Sequence, residues 1–159
     1  MAKILVSYYT RTAHTQHMAE MIAQGARAVA GAEVDVRPIS GVQPEDLLGY
    51  DAIILGSPTY YGSMAGELKK FIDDTVSFHG QLAGKVGGAF ASSANIGGGN
   101  ETTILDILNA LLIHGMVVRG THVGDHYGPV AIGDVDDRAG KNCVNYGKML
   151  AELTVKLRG

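Results

Sequence analysis

The chain has no tryptophan, a single cysteine and only four prolines among its 159 residues. Because Cys143 stands alone, an intrachain disulfide is excluded, and a reducing, cytoplasmic location is expected. No apolar run approaches the ~20 residues of a membrane span, and the apolar part of Met1–Arg11 is too short for a secretory signal. Membrane insertion is therefore not expected. A dense basic run is missing too: 13 Lys and Arg face 16 Asp and Glu, a formal net charge of −3. That balance argues against a nucleic-acid surface. Repeats, low-complexity tracts and linkers are also lacking, so residues 1–159 are expected to form one domain with a substantial core.

What is present is an alternation of strand-like and helix-like segments. Lys3–Tyr8 reads as a buried strand, and Met18, Ile22, Ala26 and Val29 follow at helical spacing. Gly31 ends that helix, and Glu33–Ile39 alternates as a half-exposed edge strand should. Asp51–Gly56 and Lys85–Ser92 read as further buried strands, and Met116–Arg119 as a short last one. Leu68, Phe71, Ile72 and Thr75 mark an intervening helix; Ile104, Ile107, Leu108, Leu111 and Leu112 mark another, stopped at Gly115. Tyr146, Leu150, Leu153 and Leu157 make a closing helix. Strands separated by helices in this way predict right-handed crossovers and a doubly wound parallel α/β sheet, covered on both faces.

Sheets of this class bind ligands beyond the carboxyl ends of their strands. The segments in that position are TRTAHT (Thr10–Thr15), SPTYYGSMAG (Ser57–Gly66) and SSANIGGGNETT (Ser92–Thr103). A dinucleotide fold needs GxGxxG after the first strand, and TRTAHT has no glycine. A P-loop signature is also missing. A phosphoacceptor receiver needs an Asp where the third strand ends in LGSPT. A low-molecular-weight tyrosine phosphatase needs a Cys just after the first strand, whereas Cys143 lies in the last helix.

Each of the three loops has a physical logic. Thr10, Thr12 and Thr15 precede or open a helix, whose first-turn N–H groups and positive dipole end attract a phosphate. Arg11 can assist or face solvent, and Thr12 as a plain helix cap is the competing explanation. In the second loop Pro58 stiffens the chain and Gly62 allows a turn. Tyr60 and Tyr61 offer flat faces to a planar heterocycle, or else to a subunit contact. The third loop has three consecutive glycines and no aromatic, which lets backbone approach a ligand edge. A flexible turn capped by Asn100 or Thr102 is the alternative there.

Taken in order, YDAIILGSPTYYGSMAGELKKFID, SSANIGGGNET and LIHGMVV resemble the flavodoxin-like FMN proteins. The close resemblance is to the tryptophan-repressor-binding-protein (WrbA) type of NAD(P)H:quinone oxidoreductase. It implies a five-stranded parallel sheet of order 2-1-3-4-5. It further implies an FMN phosphate held by Thr10, Arg11, Thr12, Ala13, His14 and Thr15. The isoalloxazine ring then rests on Pro58, Thr59, Tyr60, Tyr61 and Gly62. Its polar edge is read by Ser93, Ala94, Asn95, Ile96, Gly97 and Gly98. The implied reaction passes two electrons from NADH or NADPH to a quinone, in a homo-oligomer, dimer or tetramer. A flavodoxin-type electron carrier serving redox partner proteins is the alternative.

Against the family pattern, Ala13 replaces a usual glycine, Thr12 a frequent aromatic, and His79 a frequent Trp of the substrate pocket. Insertions that help assemble the family's tetramer, after the second strand and beyond Val123, are missing. Without an aromatic in the third loop, one flavin face is expected to stay open to nicotinamide or quinone, which favours an enzyme over a carrier. His114 ends the helix marked by Ile104 to Leu112, where the dipole favours its protonated form. Running away from the ligand edge, that helix lets His114 act only in trans, across a subunit interface; a plain helix-terminal role is the alternative. His122 and His126 flank a loop that can bring Tyr127 over the ring, but their spacing is poor for zinc, and no metal site is expected. Asp134–Arg138 reads as a solvated helix start.

Overall fold

The computed structural model describes residues 1–159. In chain order it contains β1 (Ala2–Tyr8), α1 (His14–Arg27), β2 (Ala32–Pro38), β3 (Ala52–Tyr60), β4 (Ser63–Met64), α2 (Gly66–Asp74), β5 (Val86–Ser93), α3 (Asn100–Ile113), β6 (Val117–Val118), β7 (Val130–Ile132) and α4 (Asp137–Arg158). The parallel sheet runs β2-β1-β3-β5-β6, the doubly wound order expected once the small β4 hairpin is set aside. No helix is long and apolar enough to cross a membrane.

The two-residue period of the strands divides the core. From β1, Ile4, Val6 and Tyr8 point to the α1/α4 layer with Met18, Ile22, Tyr146 and Leu150, while Leu5 points to the α2/α3 layer. β3 divides likewise: Ile54 faces the first layer, and Ile53 and Leu55 face Leu68, Ile104 and Ile107. On the outer edge β2 alternates between half-buried and exposed residues, as its sequence predicts. Tyr8 pairs with Gly56, and Pro58 with Ser92, so the ends of β1, β3 and β5 share one edge.

Two features depart from the sequence expectation. β3 continues through Tyr60 rather than stopping at Gly56, because Thr59 and Tyr60 pair antiparallel with Met64 and Ser63. The fifth strand is split: β6 pairs with Val86 and Gly87, β7 with Ala91 to Ser93, and the chain loops out between them. At the resulting gap the Ala89 N–H donates to the Tyr146 hydroxyl (3.2 Å), whose pKa burial pushes up to about 12. A two-residue β6 carries too little periodic signal for such a break to be read beforehand.

Helices α1 and α4 pack backbone to backbone. A Cβ on Gly25 would lie 1.9 Å from the Val144 carbonyl oxygen, and one on Gly147 would lie 1.8 Å from that of Ile22. Gly147→Ala is therefore expected to destabilise the protein by about 3 kcal/mol, the upper range for overpacking, measured by urea unfolding. Gly66→Ala, with open space around its Cβ position, serves as the control and is expected to change little.

Candidate functional site at the carboxyl edge

β1 delivers the chain at Tyr8 to a short bend, and α1 begins at His14. The residue before it, Ala13, is left-handed (φ 68°), and no side chain caps the helix. Thr12 is thus not a cap; its hydroxyl sits 3.4 Å from His14 Nδ1 instead. The first-turn N–H groups of α1 consequently lack side-chain partners and face the sheet's ligand edge. Thr10 is half-buried, while Arg11 and Thr12 are exposed. The Arg11 guanidinium lies 5.8 Å from the centroid of the Tyr60 ring, which in turn meets Tyr9 edge-on at 6.4 Å. Arg11 therefore bridges the first loop to the second rather than facing solvent alone.

Thr15 differs from the expected free hydroxyl. It is buried, and its Oγ1 is hydrogen-bonded to Ser92 Oγ at 3.0 Å. This contact ties the start of α1 to the end of β5.

The second loop is a tight hairpin. Tyr61 and Gly62 both take positive φ (50° and 80°), the pattern of a two-residue turn of the hand that suits twisted strands. Tyr61 is fully exposed, whereas Pro58, Thr59 and Tyr60 are half-buried. The hairpin is fastened to α3: Thr102 Oγ1 donates to the Gly62 carbonyl (2.6 Å), Thr103 to Thr59 (3.1 Å) and Ser63 to Asp106 (2.7 Å). Gly99 fits because a Cβ there would stand 2.7 Å from Gly62 Cα. Ser57 Oγ accepts from Ala65 N–H at 2.8 Å, holding the return of the chain.

In the third loop Ser93 Oγ donates to the Asn95 carbonyl (3.0 Å) and accepts from Asn100 Nδ2 (3.1 Å). Ala94, Asn95, Ile96, Gly97 and Gly98 are all exposed, and none carries a ring. α3 starts after a left-handed Gly99 without a side-chain cap, so neither Asn100 nor Thr102 caps it. An open cavity of about 710 Å³ adjoins this loop, lined in part by Ile96, Gly97, Thr102, Ile132 and Arg138.

Around the rim, His17 Nδ1 lies 2.8 Å from Asp134 Oδ1. The hydrogen bond raises the His17 pKa and lowers that of Asp134. Asp136 caps α4 by accepting from Ala139 N–H (2.7 Å), in line with the solvated helix start expected there. Tyr127 is exposed on the loop between β6 and β7, and His126 Nδ1 sits 2.9 Å from the Thr121 carbonyl oxygen.

His79 and His114 lie elsewhere. They neighbour each other, with ring centroids 5.8 Å apart, at the end of α3 remote from Gly99, roughly 20 Å along its axis. His114 is buried and stacked with Phe78. Thr75 spends its hydroxyl hydrogen on the Ile72 carbonyl (2.6 Å), so His114 Nε2–H donates to Thr75 Oγ1 at 2.7 Å. The opposite nitrogen, Nδ1, is buried without a partner. Burial, and secondarily His79, lower the His114 pKa, so the protonated form expected from the helix dipole is corrected to the neutral one.

Ser92, Thr102, Thr103 and Asp106 were not singled out by sequence as supports of the site. The polar segment SSANIGGGNETT signalled that hydroxyls gather there, but not which would face inward.

With this geometry in view, comparisons with known proteins agree on the class. The family described as NADPH-dependent FMN reductase matches residues 44–128. A flavodoxin of Aquifex aeolicus is 39% identical over 160 residues, covering 96% of this chain and 86% of that relative. Among solved structures, an archaeal flavodoxin superposes with a TM-score of 0.81 at 27% identity, covering 96% of this chain and 99% of that one. A WrbA-like flavodoxin from Agrobacterium tumefaciens gives 0.80 at 27% identity, covering 98% and 99%. The chain belongs to the flavodoxin-like FMN reductase family, a class of FMN flavoproteins with redox roles.

Two predictions follow from the residues themselves. Ala13→Gly relieves a left-handed alanine and is expected to stabilise the apoprotein by up to ~1 kcal/mol, the strain outweighing the added chain entropy. For pH, the lowered His114 pKa means the unfolded chain protonates first. Its stabilising effect is present above the unfolded value near 6.5 and is lost as pH falls below it. The raised His17 pKa acts oppositely, stabilising below that value and fading as pH rises through the folded pKa. Denaturant titrations of His114→Phe and His17→Gln across pH 5 to 8 are expected to remove these two slopes separately.

Proposed function

We propose that this edge binds FMN and that the protein passes two electrons from NADH or NADPH to a quinone. The donor set suits the cofactor. The open N-terminus of α1 with Thr10, Arg11, Thr12, Ala13, His14 and Thr15 meets a phosphate. Pro58 through Gly62 offer a surface for the ring, and Ser93 through Gly98 offer backbone groups to its polar edge. Bound there, FMN supplies the electron chemistry, accepting two electrons from a reduced nicotinamide and yielding them to the acceptor. The chain's part is to hold, align and shield.

One observation carries the enzymatic reading: the loop Ala94–Gly98 is wholly exposed and has no ring to cover the cofactor. A planar donor or acceptor can therefore stack from that side, and the adjoining cavity gives it room. Tyr127, exposed on the β6–β7 loop, is the aromatic we assign to the substrate pocket. His79, exposed beside the buried His114, reaches an acceptor only at the edge of a second copy, which fits a homo-oligomer of two or four subunits. The carrier reading is favoured by a different observation, the 39% identity to a protein named flavodoxin.

Anaerobic mixing of the FMN-loaded protein with NADH or NADPH, followed by benzoquinone, distinguishes them. Rapid loss of flavin absorbance and its recovery with quinone supports the reductase. A flavin inert to both nucleotides but reduced one electron at a time by a partner protein supports the carrier. Thr10→Ala combined with Thr12→Ala is expected to weaken FMN about 10- to 100-fold, the loss of hydrogen bonds to a charged group, while leaving the apo fold intact. Equilibrium dialysis measures it, and unchanged affinity removes the cradle.

A further inference from the structure

The Thr15–Ser92 contact contains one hydrogen more than the protein can accept. Thr15 is 1% exposed and Ser92 5%, and their hydroxyl oxygens lie 3.0 Å apart. Each hydroxyl brings one hydrogen, and the bond between them consumes one. Neither makes another hydrogen bond in the protein. Whichever hydroxyl donates, the other keeps a buried hydrogen with no protein acceptor.

The surroundings of the two oxygens decide where that hydrogen belongs. Ser92 is locked in the sheet, level with Pro58 of β3 on one side and Ala131 of β7 on the other. Thr15 lies in the first turn of α1, beside N–H groups that no side chain caps. A spare hydrogen left on the sheet-bound Ser92 makes no hydrogen bond in the protein, at a cost of about 1–3 kcal/mol. On Thr15 it joins a set of donors that already calls for an anion.

We infer that Ser92 is a positioning residue for phosphate recognition: it donates to Thr15 Oγ1 and thereby commits the Thr15 hydrogen to the ligand's phosphate. This rests on the FMN reading above. The bond from Ser92 also fixes the orientation of the Thr15 hydroxyl, and it polarises the Thr15 O–H in the direction of donation. The site so built distinguishes a phosphorylated flavin from an unphosphorylated one without adding a lysine. Ser92 itself touches no ligand and acts only through Thr15.

The test is a double-mutant cycle on flavin affinity, with FMN and riboflavin compared. Ser92→Ala is expected to weaken FMN about three- to tenfold, the effect of one neutral hydrogen bond, and to leave riboflavin unchanged. In a Thr15→Val background the same substitution is expected to cost nothing further. Equal losses for FMN and riboflavin, or a full Ser92→Ala loss persisting in Thr15→Val, would overturn the inference. Apoprotein stability supplies a second readout, because Thr15→Val with Ser92→Ala removes both hydroxyls and the surplus hydrogen. That double variant is expected to unfold at the same urea concentration as the wild type or a higher one, and a clearly lower midpoint counts against the hydrogen count. If the wild type binds neither flavin, the FMN reading fails by itself. Inorganic phosphate then becomes the probe: protection of the apoprotein that weakens in Ser92→Ala and disappears in Thr15→Val retains the positioning role, and no protection of the wild type removes it.

Discussion

The close backbone contact between α1 and α4 sets the position of nearly everything that matters at the ligand edge. Gly25 admits the Val144 carbonyl and Gly147 admits that of Ile22, so the two helices seat against each other at a depth no side chain permits. Ala19, Ala23 and Ala26 continue the small-residue face of α1 into the same buried layer. Since α1 is rigid over His14–Arg27, fixing its middle fixes its start. That start meets the end of β5 through Thr15 and the loop before α4 through His17 and Asp134. A fraction of an ångström at the glycines thus becomes placement of the donor groups, which is the precision that anion recognition needs.

The edge is assembled from hydroxyls rather than from charge. Thr15 with Ser92, Thr102 with Gly62, Thr103 with Thr59 and Ser57 with Ala65 are short contacts that lock three loops without burying an ion. Charges placed there would have to be desolvated whenever a ring covered them, at several kcal/mol each unless paired. Arg11 avoids that by resting its guanidinium over Tyr60 while staying exposed. The arrangement suits a site that holds a flat, largely apolar ligand with one charged end.

How much of this the sequence disclosed depended on the range of the signal. The parallel doubly wound class, the edge character of β2 and the three ligand loops followed from periodicity and from glycine and hydroxyl content, which are local properties, whereas the strand order came with the family resemblance. Splitting of the fifth strand did not: at the gap the Ala89 N–H is met by Tyr146, more than fifty residues away in the chain. Thr15 looked like one of three equivalent threonines; only the register of β5 reveals that Ser92 lies beside it. His114 misled for a related reason. The dipole at a helix end is a local property, but the neutral ring is dictated by burial against Phe78 and by Thr75, whose hydrogen is already committed to Ile72.

Where the chain breaks its own local rules also marks the site. α4 starts with an Asp cap, the ordinary solution for a helix that only needs to begin. α1 and α3 instead enter through left-handed residues, Ala13 and Gly99, and leave their first turns without a side-chain cap. For Gly99 the conformation costs little and allows contact with Gly62. For Ala13 it costs strain with no packing return inside the apoprotein. An uncapped helix start, a strained alanine and a buried hydroxyl pair with a spare hydrogen are three separate deficits within a few residues. In the function proposed above, all three would be offset by the same event, the arrival of an anion that accepts from the open N–H groups and from Thr15 while holding the bend at Ala13 in place.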